Sequence, residues 1–147
     1  GKKVLILGAG GVVSSIVFAL KKMDVSEISI CNRTKQKAEN LKTQFSNIKI
    51  VDWGQILDFD VIINATSLGL NNEEINLDFS KIGNNKLFYD VIYNPIETNF
   101  LKIGKKLGNK IENGKLMFMH QAAEAFKLWH GIRPNIDNET AKLLGND

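Results

Sequence analysis

The 147-residue sequence predicts an α/β fold: a doubly wound, mostly parallel sheet with helices on both faces. Two observations predict it. Short apolar runs rich in Val and Ile alternate with longer segments of helical period, and the first run ends in a glycine-rich turn that opens a helix. Strands are expected at about 3–7, 27–31, 48–51, 60–64, 86–91 and 110–112. Helices are expected at about 11–23, 35–46, 97–107, 115–130 and 137–145. No repeat, low-complexity tract or Pro/Gly/Ser linker divides the chain, so residues 1–147 read as one domain. The favoured strand order puts the first strand at the centre, with ligands beyond the carboxyl ends of the strands.

The first strand, Lys3-Val4-Leu5-Ile6-Leu7, runs into Gly8-Ala9-Gly10-Gly11-Val12-Val13, and a helix continues through Ser14 to Leu20. The first glycine permits the tight turn. The second lets backbone approach a pyrophosphate, which then rests on the partial positive charge of a helix N-terminus. A turn without a ligand is the alternative, but three glycines in four residues cost conformational entropy that a plain turn does not require. The third small position is Val13, expected to hold the helix slightly farther from the strand.

The second strand ends Ser29-Ile30-Cys31 and is followed by Asn32-Arg33-Thr34. Units of this kind that bind NAD carry an Asp or Glu there for the ribose hydroxyls; this chain has none. Arg33 offers a fork of donors suited to a 2′-phosphate, Thr34 adds a hydroxyl, and Lys37 lies one helical turn on. The pattern points to NADP, since one charged hydrogen bond of about 1.5–3 kcal/mol favours it over NAD by roughly 10- to 150-fold. The alternative, Thr34 as a helix cap beside a solvated Arg33, is compatible with that role.

Composition excludes several classes. Hydrophobic residues at 44% and charged residues at 24% match a globular domain. The net charge of +3 and pI near 9.0 come from scattered lysines such as Lys21, Lys22, Lys42, Lys105, Lys106 and Lys110, with only two arginines, so no nucleic-acid partner is expected. Cys31 is the sole cysteine, which excludes an internal disulfide and fits a reducing, cytoplasmic setting; no Cys/His spacing suits a metal. No membrane span or signal peptide is expected. Gly1 opens almost directly into a strand and Met23 is the first methionine, which reads as a trimmed piece of a longer chain.

Five motifs in order resemble the cofactor domain of the shikimate dehydrogenases. They are Gly8-Ala9-Gly10-Gly11; Asn32-Arg33-Thr34; Asn64-Ala65-Thr66-Ser67-Leu68-Gly69; Tyr89-Asp90-Val91-Ile92-Tyr93-Asn94-Pro95 with Thr98; and Gly114 and Met117 before Gln121-Ala122-Ala123-Glu124-Ala125-Phe126 and Trp129-His130-Gly131. The resemblance implies a Rossmann-type domain of an NADP-dependent enzyme that interconverts 3-dehydroshikimate and shikimate on the route to chorismate and aromatic amino acids. It implies that Gly8, Ala9, Gly10, Gly11 and Val12 hold the pyrophosphate, and that Asn32, Arg33, Thr34 and Lys37 surround the 2′-phosphate. Thr66 and Ser67 would line the path of the nicotinamide half, Val91 and Gly114 would contact its end, and Tyr93 and Gln121 would reach the substrate. Departures from the family pattern are Val13, Leu70 and Asn99.

The family's catalytic Lys-Asp pair belongs to a separate N-terminal domain, so the resemblance implies no catalytic residue in this chain. General acid-base work needs a group within reach of the moving proton. Tyr93 is a poor base at neutral pH, and His120 and His130 are expected in surface or structural roles. On the late helix, Met119, Ala122, Ala123 and Phe126 form one stripe expected on the core, with His120, Glu124 and Lys127 as a polar flank. A second row, Met117, Gln121 and Leu128, is either part of a wide core-facing arc or the contact for an absent domain. In the latter case residues 115–147 would pack partly on that domain, and an isolated chain would tend to dimerise through this face.

Two other functions are compatible with parts of the pattern. One is a stand-alone, non-catalytic NADP-binding module, which would not need substrate-facing groups at both Tyr93 and Gln121. The other is a different NADP enzyme such as a glutamyl-tRNA reductase-like protein, disfavoured by the Gln-Ala-Ala and Trp-His-Gly segments. Within the resemblance, shikimate and quinate remain open as substrates.

Overall fold

The computed structural model describes residues 1–71 and 73–144. Its strands are β1 (Lys2–Leu7), β2 (Val25–Cys31), β3 (Ile48–Val51), β4 (Val61–Asn64), β5 (Leu87–Asp90) and β6 (Lys110–Glu112). Its α-helices are α1 (Gly11–Lys21), α2 (Lys35–Gln44), α3 (Asn99–Lys106), α4 (Lys115–His130) and α5 (Asn138–Leu143). Every expected strand and helix is present, within a few residues at the ends; residue 145, the expected end of the last helix, lies outside the described residues.

All pairings are parallel, and the sheet order is β3-β2-β1-β4-β5-β6. The chain therefore winds outward in one direction from β1, returns to the middle, and winds outward in the other. This leaves a crevice at the carboxyl edge between β1 and β4, where the winding reverses.

Alternation along the strands divides the core. Val4 and Ile6 of β1 join Ile28, Ile30 and Ile63 on the face covered by Val13 and Val17 of α1 and by Ala38 and Leu41 of α2. Leu5 and Leu7 point the other way, onto Ile62, Phe88, Phe100 and Leu101. Part of that second cover is irregular: Ile56, Phe59, Ile75, Phe79 and Ile82 come from connecting segments and a 3-10 turn at Ser80–Ile82. Phe79 meets Phe88 and Phe100 edge-on, with centroids 5.6 and 5.7 Å apart. Val13 is fully buried, so the third position of the glycine-rich turn is a core residue.

One expectation needs correction. Met119 and Ala123 of α4 are buried, but Ala122 is exposed and Phe126 is 42% exposed. The buried stripe is thus narrower than its spacing suggested, because the second half of the helix lies off the sheet and meets α5 and the segment around Arg133 instead. The wide-arc reading of the opposite row holds only at half-buried Met117, since Leu128 is 84% exposed and Gln121 is exposed. No helix among the described residues is long and apolar enough to cross a membrane.

Candidate functional site

The glycine-rich turn sits at the carboxyl end of β1, at the reversal point of the sheet. Gly8 adopts φ 109°, and a Cβ there would stand 2.7 Å from the carbonyl oxygen of Ala65, so a side chain is excluded both by conformation and by the close passage of the loop after β4. Gly10 and Gly11 differ: a Cβ on either would meet nothing within 4 Å. Their missing side chains leave open space over the backbone, the property that a phosphate approaching the main chain requires. Gly10 caps α1 without any side-chain hydrogen bond, which leaves the first N–H groups of the helix directed outward for an anion.

A cleft of about 220 Å³ opens above this turn. It is lined by Gly8, Ala9, Gly10, Asn32, Arg33, Thr34, Lys37, Trp53, Ala65, Thr66, Ser67 and Leu68. Three separate motifs of the sequence therefore meet in one cavity. Asn32 donates through Nδ2 to the Thr34 carbonyl at 2.7 Å, which shapes the turn after β2. Thr34 occupies the N-cap position of α2, but its side chain makes no cap bond. Its hydroxyl is thus not consumed by the capping role that the sequence alone allows. Arg33 and Lys37 are exposed and have no ion-pair partner among the described residues, whereas neighbouring Lys35 pairs with Asp52 at 3.1 Å.

Trp53 is the cleft residue that sequence reasoning missed. It lies just beyond β3 in a turn closed by the Gln55 N–H to the Asp52 carbonyl at 3.0 Å, with Gly54 at φ 101°. A positive φ at the third position is the type II requirement that glycine meets. The signal in the sequence was the Trp-Gly pair after a strand, but its meaning depends on β3 lying beside β2.

Beyond β4 the chain folds around the side chain of Asn64. Its Oδ1 accepts from the Thr66 N–H at 3.1 Å and the Thr66 hydroxyl at 2.7 Å, and its Nδ2 donates to the Leu68 carbonyl at 3.1 Å. The Thr66 hydroxyl in turn accepts from the Leu68 N–H at 3.1 Å. Thr66 lines the cleft with its hydroxyl committed to the loop, while Ser67 is exposed.

Asn64 also donates to both oxygens of buried Asp90, at 3.1 Å each. Asp90 accepts further bonds from the Ile92 N–H at 3.0 Å and the Thr98 hydroxyl at 2.6 Å. Burial pushes the Asp90 carboxyl above the ordinary aspartate range, and the bonds from Thr98, Ile92 and Asn64 oppose that rise.

The remaining expected residues lie outside the cleft lining. Val91 and Gly114 are brought together: the Gly114 N–H donates to the Ile92 carbonyl at 3.1 Å, and a Cβ on Gly114 would clash with Val91 backbone. Tyr93 stacks on Phe118 of α4, with centroids 4.7 Å apart. Gln121 follows Phe118 by three residues, on the same side of that helix. His120 and His130 are exposed.

The sheet order, the glycine turn at its reversal point and the cleft above that turn define a Rossmann-type domain of the dinucleotide-binding class. More particularly, the chain belongs to the shikimate/quinate 5-dehydrogenase family, whose model matches residues 1–95; that of the shikimate 5′-dehydrogenase C-terminal domain matches residues 117–138. A shikimate dehydrogenase (NADP(+)) of Pelagibacter ubique is 58% identical over 144 residues, covering 97% of this chain and 54% of that protein. The crystal structure of shikimate dehydrogenase from Aquifex aeolicus superposes with a TM-score of 0.84 at 32% identity, covering 99% of this chain and 54% of that one. That of the Thermus thermophilus shikimate 5-dehydrogenase in complex with NADP(H) and shikimate gives 0.83 at 30% identity, covering 97% and 54%. The chain spans about half the length of the relatives it matches.

Proposed function

We propose that this chain is the NADP(H)-binding half of a shikimate dehydrogenase, which reduces 3-dehydroshikimate to shikimate. The observation that carries this reading is the convergence of Gly8, Ala9 and Gly10 of the turn with Arg33, Thr34 and Lys37 in a single cleft. The backbone around Gly10 and the start of α1 receive the pyrophosphate. Arg33, with Lys37 and the free hydroxyl of Thr34, recognises the 2′-phosphate, and Trp53 offers an aromatic face beside them. When bound, the dihydronicotinamide supplies the hydride. Thr66, Ser67, Val91 and Gly114 belong to its side of the site, and Tyr93 and Gln121 to the substrate side.

The reading assigns the catalytic acid-base groups to the part of the relatives' length that this chain does not span. The row Met117, Gln121 and Leu128 on α4 is the surface on which that part packs. Without it, two copies of the chain pair through the same face. A calorimetric titration of the chain with NADPH, NADH and shikimate tests the assignment. NADPH is expected to bind, NADH weakly, and shikimate hardly at all; equal affinity for the two nucleotides overturns the NADP reading.

A further inference from the structure

We propose that Asp90 is a positioning residue for the nicotinamide side of the cleft, acting through Asn64 on the loop Thr66–Leu68. The inference rests on the nucleotide reading of the cleft and adds a role for a group that never touches it.

The argument is one of hydrogen-bond polarity. Parallel pairing sets Asn64 at the end of β4 opposite Asp90 at the end of β5. Every partner of the Asp90 carboxylate donates: the Asn64 amide, the Ile92 N–H and the Thr98 hydroxyl. The Thr98 oxygen itself accepts from the Leu101 N–H at the start of α3, so its proton is directed to Asp90. An acceptor-only group at this point dictates which end of the Asn64 amide faces it. With Nδ2 turned to Asp90, Oδ1 is turned to the N–H and hydroxyl of Thr66, and Leu68 is held through both its carbonyl and its N–H. The backbone that lines the cleft from Ala65 to Leu68 is thereby shaped by a carboxylate buried beneath it. Asp90 has no hydrogen bond to the glycine turn or to the Asn32–Thr34 segment among the described residues, so its direct hold falls on the loop after β4.

Asp90→Asn keeps the shape but places a second amide among donors. The one oxygen left can still accept from Asn64 and from one neighbour, but the new NH2 end accepts nothing, so a buried donor loses its partner and the hold on the Asn64 amide, and through it on the loop, is weakened. The test is calorimetry on this chain with two ligands: NADPH, and adenosine 2′,5′-bisphosphate, which carries the 2′-phosphate and lacks the nicotinamide. Asp90→Asn is expected to weaken NADPH about tenfold, the order set by one charge-assisted hydrogen bond, and to leave the bisphosphate unchanged. Thr98→Val, which removes one donor, is expected to move NADPH affinity in the same direction by a smaller factor, and Thr98→Ser to restore it. Should Asp90→Asn fail to fold by circular dichroism, the Thr98 pair decides. Equal losses for both ligands, or unchanged NADPH binding in the folded variants, overturn the proposal. A wild-type chain that binds neither ligand overturns the nucleotide reading itself, and this inference with it.

Discussion

A Cβ placed on Gly114 would stand 1.9 Å from the carbonyl oxygen of Val91, a contact with backbone that no rotamer change relieves. The entry of α4 is thus pressed against the segment leaving β5, and the Gly114 N–H to Ile92 carbonyl bond of 3.1 Å seals the joint. Gly114→Ala is expected to lower unfolding stability by about 1–3 kcal/mol, the usual cost of forcing a methyl group into packed structure. Urea denaturation followed by circular dichroism measures it.

Gly11 should behave in the opposite way. Its Cβ would meet nothing within 4 Å, and it is the first residue of α1. Gly11→Ala is expected to raise stability by up to about 1 kcal/mol through helix propensity alone, yet to weaken NADPH binding by filling space over the phosphate cradle. The same denaturation assay paired with a calorimetric titration separates the two effects; a gain in both, or a loss in both, would count against the cradle.

Asp60 makes the fold sensitive to acid. The Lys3 N–H donates to its carboxylate at 2.9 Å, and Lys2 and Lys86 lie nearby, which together hold its pKa below the ordinary 3.8. Between the lower folded value and the ordinary one, the unfolded chain binds more protons, so stability rises with pH there. The contribution is present above the ordinary aspartate pKa and is lost as pH falls through the folded value. Asp60→Asn is expected to flatten the pH dependence of the melting temperature below about pH 4, read by thermal scans at several acid pH values.

Much of this was legible in sequence because local chemistry dictated it. The Lys3–Leu7 run, the glycines after it and the apolar face of α1 are consecutive, and Asn32-Arg33-Thr34 follows a strand directly. What escaped depends on long-range register. Asn64 and Asp90 meet across strands paired 26 residues apart, and Trp53 enters the cleft only because β3 flanks β2. Ile75, Phe79 and Ile82 fill one face of the sheet from a segment that forms only a 3-10 turn, so their spacing of four and three marks no regular element. On α4 the spacing correctly marked Met119 and Ala123, but spacing cannot say where a sheet stops: Ala122 and Phe126 lie on the same arc and remain exposed.

The open end of α4 leads to a further expectation. Leu128 and Trp129 are 84% and 78% exposed and adjacent in sequence, and contiguous exposed apolar surface marks interaction sites. The isolated chain is expected to sediment as a dimer, and Leu128→Glu to return it to a monomer whose melting temperature no longer depends on protein concentration. A wild-type chain that is monomeric by light scattering and binds no hydrophobic dye would contradict the use of this face for docking.

The most direct test of the nucleotide assignment is an Arg33→Ala variant titrated with NADPH and NADH beside the wild type. Loss of a charged contact to the 2′-phosphate predicts NADPH affinity lowered roughly 10- to 150-fold with NADH affinity nearly unchanged. Equal losses for the two nucleotides, or none for either, would contradict it.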